Sequence, residues 1–158
     1  TGLEIDSSGR VLTPTRPSFL LRVGSTQSKT SMATGWHKFD FTTTSFDVGN
    51  NVASSVFTAP LSGLYQFNLS TRMDALGGSF LIIVLAHTTS TPSASGEDSD
   101  LYWSSYAIDG NLNSTFISLN TSCSVELTSG QTVVPWYYTN DTTFNIRQNT
   151  HFSGYLVG

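Results

Sequence analysis

Charged residues are scarce in this sequence. Asp, Glu, Lys and Arg make up only 11% of the 158 residues, only two lysines are present, and the net charge is −4. A protein that binds nucleic acid nonspecifically, or that lies on an anionic membrane, needs a basic surface. The charge balance therefore argues against both functions.

Cysteine and long apolar runs are also scarce. The single cysteine, Cys123, excludes an internal disulfide and a cysteine-rich zinc site. The longest uninterrupted apolar run, Phe80–Ala86, is far shorter than the roughly 20 residues of a membrane-spanning helix. No signal peptide opens the sequence, and no repeat of solenoid length is visible. We expect no membrane insertion.

Serine, threonine and aromatic residues are abundant instead. The sequence holds 24 Ser and 22 Thr, and 12% of its residues are aromatic. Ser and Thr are poor fillers of helix interiors, whereas Thr and aromatic residues suit a pleated surface. The composition predicts an all-β protein, and the length allows one main domain.

Short alternating segments separated by turn residues predict a β-sandwich. Tyr65, Phe67 and Leu69 alternate with polar residues, and so do the mostly apolar odd positions between 117 and 127. These side chains should face a core. Cys123 belongs to that apolar face, so we interpret it as a packing residue.

Residues 1–16 have a sequence pattern that differs from that of the rest of the chain. Leu3 and Ile5 alternate with acidic residues, Asp6–Gly9 forms a turn set, and Val11 begins a second strand. We predict that residues 1–16 are a β-hairpin or the remnant of a stalk, and that residues 17–158 are the head domain.

One predicted strand is apolar on both faces, although a sandwich strand meets the core with only one. The other face would expose a large apolar stripe, which a second copy or a loop of the same chain must cover. We favour a second copy. Tyr137 in the Trp-Tyr-Tyr sequence lies either at the same seam or inside the chain. The candidate interface residues are Phe80, Leu81, Ile82, Ile83, Val84, Leu85 and Tyr137.

Four segments resemble a known family in order and spacing. They are Phe46-Asp47-Val48-Gly49-Asn50-Asn51, the segment 56–67 with Phe-Thr-Ala-Pro-x-x-Gly-x-Tyr-x-Phe, the segment 127–133, and the terminal Phe152-Ser153-Gly154-Tyr155-Leu156. Together they resemble the globular head of complement component one, q subcomponent. The resemblance implies a ten-stranded jelly roll of two antiparallel sheets, in the tumour-necrosis-factor-like superfamily, that assembles as a homotrimer.

The N-terminal segment has a second likeness. Residues 5–11, followed by Pro14 and Pro17, are similar to the stretch that precedes such heads in tail-fibre and other structural proteins of aquatic bacteriophages. Collagen repeats, which precede the animal heads, are absent. The likeness implies a virion-surface or extracellular protein, attached to other virion proteins upstream, that binds a host-surface glycan. The alternatives are a secreted pattern-recognition protein and a purely structural trimerisation or capsid-decoration module.

The sequence contains no enzyme motif. It has no phosphate-binding loop, no paired-histidine zinc motif and no nucleophile elbow. We therefore expect no catalytic residues, no cofactor and no resident metal.

Three carboxylates precede three aromatic residues in the most informative polar segment. Aromatic faces stack on sugar rings and carboxylates accept hydroxyl hydrogen bonds, so this pattern favours carbohydrate binding. The same carboxylates could supply ligands to calcium, although their spacing fits no standard calcium loop. The alternative is a solvated loop that leads into a strand whose aromatics pack inside. The candidate ligand residues are Glu97, Asp98, Asp100, Tyr102, Trp103 and Tyr106.

Overall fold

The computed structural model describes residues 4–9, 11–12, 16–74, 76–77, 80–87, 91–92, 101–108 and 116–158. At Glu4, Val11 and Leu12, and from 101 to 108, only the backbone is described. All the strand pairs in this part of the chain are antiparallel, which confirms the predicted all-β class.

Fifteen strands run through the described residues, and six of them contain only two or three residues. In chain order the strands are β1 (Glu4–Ile5), β2 (Val11–Leu12), β3 (Ser18–Arg22), β4 (Gln27–Lys29), β5 (Gly35–Lys38), β6 (Thr43–Val48), β7 (Val52–Ala53), β8 (Val56–Thr58), β9 (Gly63–Asp74), β10 (Phe80–Ala86), β11 (Leu101–Ile108), β12 (Ile117–Leu127), β13 (Thr132–Thr139), β14 (Phe144–Ile146) and β15 (His151–Leu156).

Two large sheets form the sandwich. The six-stranded sheet has the order β11-β10-β13-β8-β7, and β5 also pairs with β13. The seven-stranded sheet has the order β4-β14-β9-β15-β3-β6, and β12 pairs with the other side of β9. The first long strand, β3, therefore lies beside the last, β15. β1 and β2 pair separately, which confirms the predicted hairpin.

Aromatic rings from both sheets fill the core. Phe19, Phe67 and Phe152 of the seven-stranded sheet are each at most 1% exposed. Phe57 of the opposite sheet stacks on Phe19 with ring centroids 5.1 Å apart and lies 5.3 Å from Phe67. Alternation along β9 explains this burial, because every second residue of a strand points to the same face. The predicted inward positions of β9 and β12 are confirmed, and half-buried Cys123 packs against this core.

Phe39 and Phe41 are buried in the core although they lie outside the strands. Their alternation with polar residues predicts a strand, yet they follow the end of β5 and lie outside any strand. Both rings are nevertheless buried in the core, 5.7 Å apart. The alternation thus identified the buried side chains correctly, although the Phe39 amide, which donates to the Pro135 carbonyl of β13 at 3.1 Å, makes too little of a ladder for the segment to count as a strand.

Two of the sequence segments quoted above are joined by hydrogen bonds. The Ala59 amide donates to the Gln131 carbonyl at 2.8 Å, and the Gly130 amide donates back to the Ala59 carbonyl at 2.8 Å. The hydroxyl of buried Tyr65 donates to the Leu61 carbonyl at 2.8 Å. Gly130 has a φ of +91°, a conformation that favours glycine. The loop before β9 and the turn before β13 therefore form one hydrogen-bonded unit.

Gly154 lies in close contact with core aromatic rings. A β-carbon built on it would lie 2.7 Å from Cε1 of Phe67 and 2.8 Å from Cε1 of Phe19. Normal carbon–carbon contacts begin near 3.5 Å. Only a residue without a side chain lets β15 pass between these rings, which explains the glycine of the terminal Phe-Ser-Gly-Tyr-Leu segment.

We predict that Gly154→Ala destabilises the fold by about 1–3 kcal/mol, the usual cost of overpacking. The gain from replacing a strand glycine, about 0.5–1 kcal/mol, is too small to offset this cost. Urea unfolding at one fixed protein concentration measures the change. Gly77→Ala is the control, because its new β-carbon would meet only Asp141 Oδ1, at 4.0 Å. Equal stability of the two variants would contradict the close contact.

Candidate binding surfaces

The predicted ligand segment is described only in part. Glu97, Asp98 and Asp100 lie outside the described residues. Tyr102, Trp103 and Tyr106 belong to β11, so this half of the segment is a strand. Register pairs Trp103 with Leu85 and Tyr106 with Ile82, with an irregularity between Leu85 and Ala86.

Most of the predicted interface residues are buried within the chain. Leu81, Ile83, Leu85 and Tyr137 are at most 1% exposed and belong to the sandwich core. The side chain of Tyr137 packs 4.8 Å from Phe39, and burial raises its pKa well above the ordinary tyrosine value. These four side chains have no exposed surface to offer to a second copy.

The opposite side of β10 is covered as well. Val84 is 0% exposed and packs in a second apolar cluster with Trp36, Ala86, Val134 and Trp136. The stripe is therefore buried by the same chain, which was the alternative to coverage by a partner. Phe80 and Ile82 remain half-buried, and the Phe80 ring stacks on Tyr138 at 5.3 Å.

The outward face of the seven-stranded sheet carries the surface that the sequence analysis missed. Its central strands present mostly uncharged polar side chains. The signal was present in the sequence as the polar positions between the core residues of β9, β12 and β15, which we read only as facing solvent. These side chains are Gln66, Asn68, Ser70, Ser118, Asn120, Ser122, Ser124 and Ser153.

One end of this face is apolar. Leu64 on β9 is 41% exposed, Tyr155 on β15 is 49% exposed, and Val157 just beyond β15 is 41% exposed. The Val157 amide donates to the Leu64 carbonyl at 2.7 Å, so these residues lie side by side. Leu61 is also exposed next to them in the chain, and exposed Phe46 pairs with Leu20 on the edge strand β6. We call Leu61, Leu64, Tyr155 and Val157 the apolar end.

The opposite end of this outward face carries surface hollows and basic side chains. His151 pairs with Arg22 on one side and with Ser70 on the other. A hollow of about 660 Å³ lies between Arg22, Asn149 and His151, and a second of about 480 Å³ lies between His151, Asn149 and Arg72. A third, of about 330 Å³, continues from His151 toward the polar residues of β9 and β12.

An ion pair anchors the turn behind these hollows. Arg147 donates to Oδ2 of Asp74 through Nε, at 2.6 Å, and through an η nitrogen. Burial of Asp74 would raise its pKa, but hydrogen bonds from Arg147 and Asn145 and the charges of Arg147 and Arg72 lower it overall. The carboxylate is therefore held in its charged form and ties the turn before β15 to the end of β9.

Other chemical groups give little sign of reactivity. Burial raises the pKa of the Cys123 thiol to about 11, so the thiolate that reacts with electrophiles is rare at neutral pH. Within the described ranges, no three His, Cys, Asp or Glu side chains are grouped to hold a metal ion. No helix in the described part of the chain is long and apolar enough to cross a bilayer.

Comparison with solved structures identifies the fold. The globular domain of the zebrafish complement 1qA protein superposes with a TM-score of 0.61 at 16% identity, over 90% of this chain and 98% of that one. Murine APRIL, in a crystal structure at pH 5.0, superposes with a TM-score of 0.58 at 8% identity, over 89% and 98% of the two chains. No protein-family model matches the sequence, and no curated protein matches it either. The likeness confirms the predicted complement-type and tumour-necrosis-factor-like jelly roll.

We predict that the Asp74–Arg147 pair makes the protein sensitive to acid. Because the pKa of Asp74 is lowered in the folded state, its contribution to stability is present above the unfolded value, near 3.8, and is lost as pH falls through the lower folded value. Urea unfolding at pH 7 and at pH 3 should show a smaller pH-dependent loss for Asp74→Asn than for the parent protein. Asp40→Asn, at an exposed carboxylate, should keep the parental pH dependence. Parallel pH profiles for all three proteins would contradict this role of the pair.

Proposed function

We propose that this chain is the homotrimeric head of a virion-surface or tail-fibre protein, and that it attaches to a glycan on the host cell without catalysing a reaction. The apolar end of the seven-stranded sheet, exposed on a head of complement-type fold, is the observation that carries the proposal. The N-terminal hairpin then connects the head to virion proteins upstream.

Self-association explains why the apolar end is exposed. Leu61, Leu64, Tyr155 and Val157 are each between 41% and 54% exposed, and Leu64, Tyr155 and Val157 share one sheet face. Soluble proteins rarely leave such clustered apolar side chains in water. A second copy is a suitable partner, because Gln66, Asn68 and Ser153 beside this end are uncharged, although Glu126 pairs with Leu64 and places a carboxylate next to it.

The seven-stranded sheet is a better contact face than β10. Phe80 and Ile82 are the β10 side chains from the predicted interface that retain some exposure, and both are half-buried within the chain. Tyr155 and Leu64 are more exposed and therefore have more apolar area to lose on association. Burying apolar surface contributes about 25 cal/mol per Å².

Glycan attachment follows from the trimer and from the composition of one segment. Three identical heads offer three identical sites, so weak contacts with a repeated sugar add to a useful avidity. Glu97, Asp98 and Asp100 with Tyr102, Trp103 and Tyr106 remain the proposed site, because they combine carboxylates with aromatic rings. The backbone of β11 is the outermost strand of the six-stranded sheet as described, which supports a site at that edge.

We predict that the protein is a trimer of 17.1 kDa chains and that Tyr155→Asp or Leu64→Asp dissociates it. A charge placed in an apolar interface loses its hydration and should cost several kcal/mol. Light scattering after size-exclusion chromatography measures the mass, and thermal melting checks that the variants fold.

Two controls make the assembly test specific. Ile5→Asp places the same charge at a side chain that is 68% exposed in the hairpin, and it should leave the mass unchanged. Ile82→Asp tests the face of β10. A parent protein that runs as a monomer at micromolar concentration would overturn the trimer, and dissociation by Ile82→Asp alone would move the contact to β10.

We predict that Trp103→Ala, and the pair Asp98→Asn with Asp100→Asn, abolish binding to host cells or to a glycan array while the melting temperature changes little. A tryptophan that packs in the core would instead cost about 3–5 kcal/mol on truncation to alanine. Measuring melting and binding on the same samples separates the two roles. Undiminished binding by the folded variants would remove this segment from the site, and a parent protein that binds no glycan would favour a purely structural module.

A further inference from the structure

The outward face of the six-stranded sheet carries a patch of aromatic and apolar side chains. Trp36 of β5, Tyr138 of β13 and Ile82 of β10 occupy one cross-strand row, because Tyr138 pairs with both of the others. Phe80 lies two residues before Ile82 and therefore on the same face. The residues that alternate with these along β10 and β13 point into the core. We call Trp36, Phe80, Ile82 and Tyr138 the outer patch.

The rings of the outer patch contact one another in fixed orientations. Phe80 stacks on Tyr138 with ring centroids 5.3 Å apart and an angle of 17° between the planes. Trp36 meets Tyr138 edge to face, also at 5.3 Å, with an angle of 79°. Both arrangements are ones that aromatic pairs prefer. The Phe80 amide donates to Oδ1 of Asn140 at 3.3 Å, which ties the start of β10 to the end of β13. The rings therefore form an apolar surface whose shape is set before any ligand arrives.

This face of the sheet is open at the end where the outer patch lies. Val84 and Ala86, farther along β10, are 0% exposed. Phe80, Ile82 and Tyr138 are only half-buried. Each of these three side chains keeps part of its surface toward solvent, so a ligand can contact them without any rearrangement of the strands.

The outer patch faces away from the proposed contact between copies. The apolar end belongs to the seven-stranded sheet, and the core of the sandwich lies between the two sheets. Assembly through the apolar end therefore leaves the outer patch of every copy on the outside. The patch also continues the proposed glycan segment, because Tyr106 of β11 pairs with Ile82 and so occupies the same cross-strand row.

The strands around the outer patch carry almost no charge. Lys38 is the only Asp, Glu, Lys or Arg residue in the six described strands of this sheet, and β10, β11 and β13 contain none. A charged ligand would lose hydration here without gaining an opposite charge. An uncharged hexose ring suits the patch better, because its C–H bonds form an apolar face while its hydroxyl groups stay in water.

We propose that the outer patch is a stacking platform for uncharged hexose units of a glycan, with the rings of Phe80 and Tyr138 contacting the C–H faces of the sugars. The inference rests on the proposed attachment to glycans, and it names the class of sugar and a second part of the site. Strand spacing of about 4.8 Å places β11 and β13 about 10 Å apart. That distance exceeds one hexose ring, so a bound oligosaccharide spans from β11 across β10 to β13.

The test uses the full chain and three soluble probes: cellohexaose, a β-galactan oligosaccharide and an oligogalacturonate. The first two are uncharged and the third carries carboxylates. Calorimetric titration should show binding of one or both uncharged probes and weaker binding of the oligogalacturonate. Because no charge takes part, the affinity for the uncharged probes should change little with ionic strength.

Leucine variants separate ring stacking from apolar packing. Phe80→Leu and Tyr138→Leu keep an apolar side chain but lose the ring, and each should weaken binding about three- to tenfold, the usual worth of an aromatic contact. Phe80→Tyr and Tyr138→Phe keep the ring and should bind like the parent. Phe46→Leu removes a 47% exposed ring from the other sheet and should also bind like the parent. Thermal melting checks folding, and light scattering should give the parental mass for all five variants.

A measurement on the unmodified chain covers the case in which a leucine variant fails to fold. Adding an uncharged probe should shift the nuclear magnetic resonance signals of the Phe80 and Tyr138 ring protons and leave those of Phe46 in place. Shifts confined to other residues would overturn the platform.

The remaining outcomes separate this inference from the broader function. A parent protein that binds neither uncharged probe, or folded leucine variants that bind like the parent, would overturn the platform. If the parent protein nevertheless binds glycans on an array and Trp103→Ala abolishes that binding, attachment stands and only the outer patch fails. If the parent protein binds none of the probes and nothing on the array, both proposals fail.

Discussion

Two phenylalanine rings press on Gly154 from β9 and β3, and the arrangement of the sandwich depends on that contact. Phe67 and Phe19 fill the space that a side chain at this position would need. With those rings in place, Phe57 of the opposite sheet stacks on Phe19, which sets how closely the two sheets approach. Aromatic rings dominate the core because each buries a large area, and the chain has no disulfide to add to that packing.

The sequence was most informative where a strand meets the core on one face. Alternation alone predicted that Tyr65, Phe67 and the apolar half of β12 face the core. The same alternation predicted the burial of Phe39, although Phe39 lies outside any strand. It was least informative for β10. An apolar strand gives no sign of what packs against its second face. Here that face packs with Trp36 and Trp136, which are distant from β10 in the chain. Trp36 lies on β5, which pairs with β13, and Trp136 lies on β13 itself.

The outward face of the seven-stranded sheet explains why candidate sites were harder to predict than the fold. Its polar residues are spread over four strands, β3, β9, β12 and β15, so no short segment collects them. Arg22, Arg72 and His151 come from three separate strands and become neighbours only through register. The segment before β11 stood out because its carboxylates and aromatics are contiguous in sequence. A contiguous pattern favours sites built from one loop and overlooks sites built across a sheet.

The pairing of β3 with β15 also bears on how the chain reaches its native state. The seven-stranded sheet joins residues near 20 to residues near 153 and residues near 28 to residues near 145, whereas its longest ladder, between β9 and β12, joins residues only 44 to 64 positions apart. Closing such long loops is entropically costly and slows folding. On the ribosome, β3 has no partner on its β15 side until the last strand has emerged from the exit tunnel. Until then, that edge of β3 must be kept from pairing with neighbouring nascent chains.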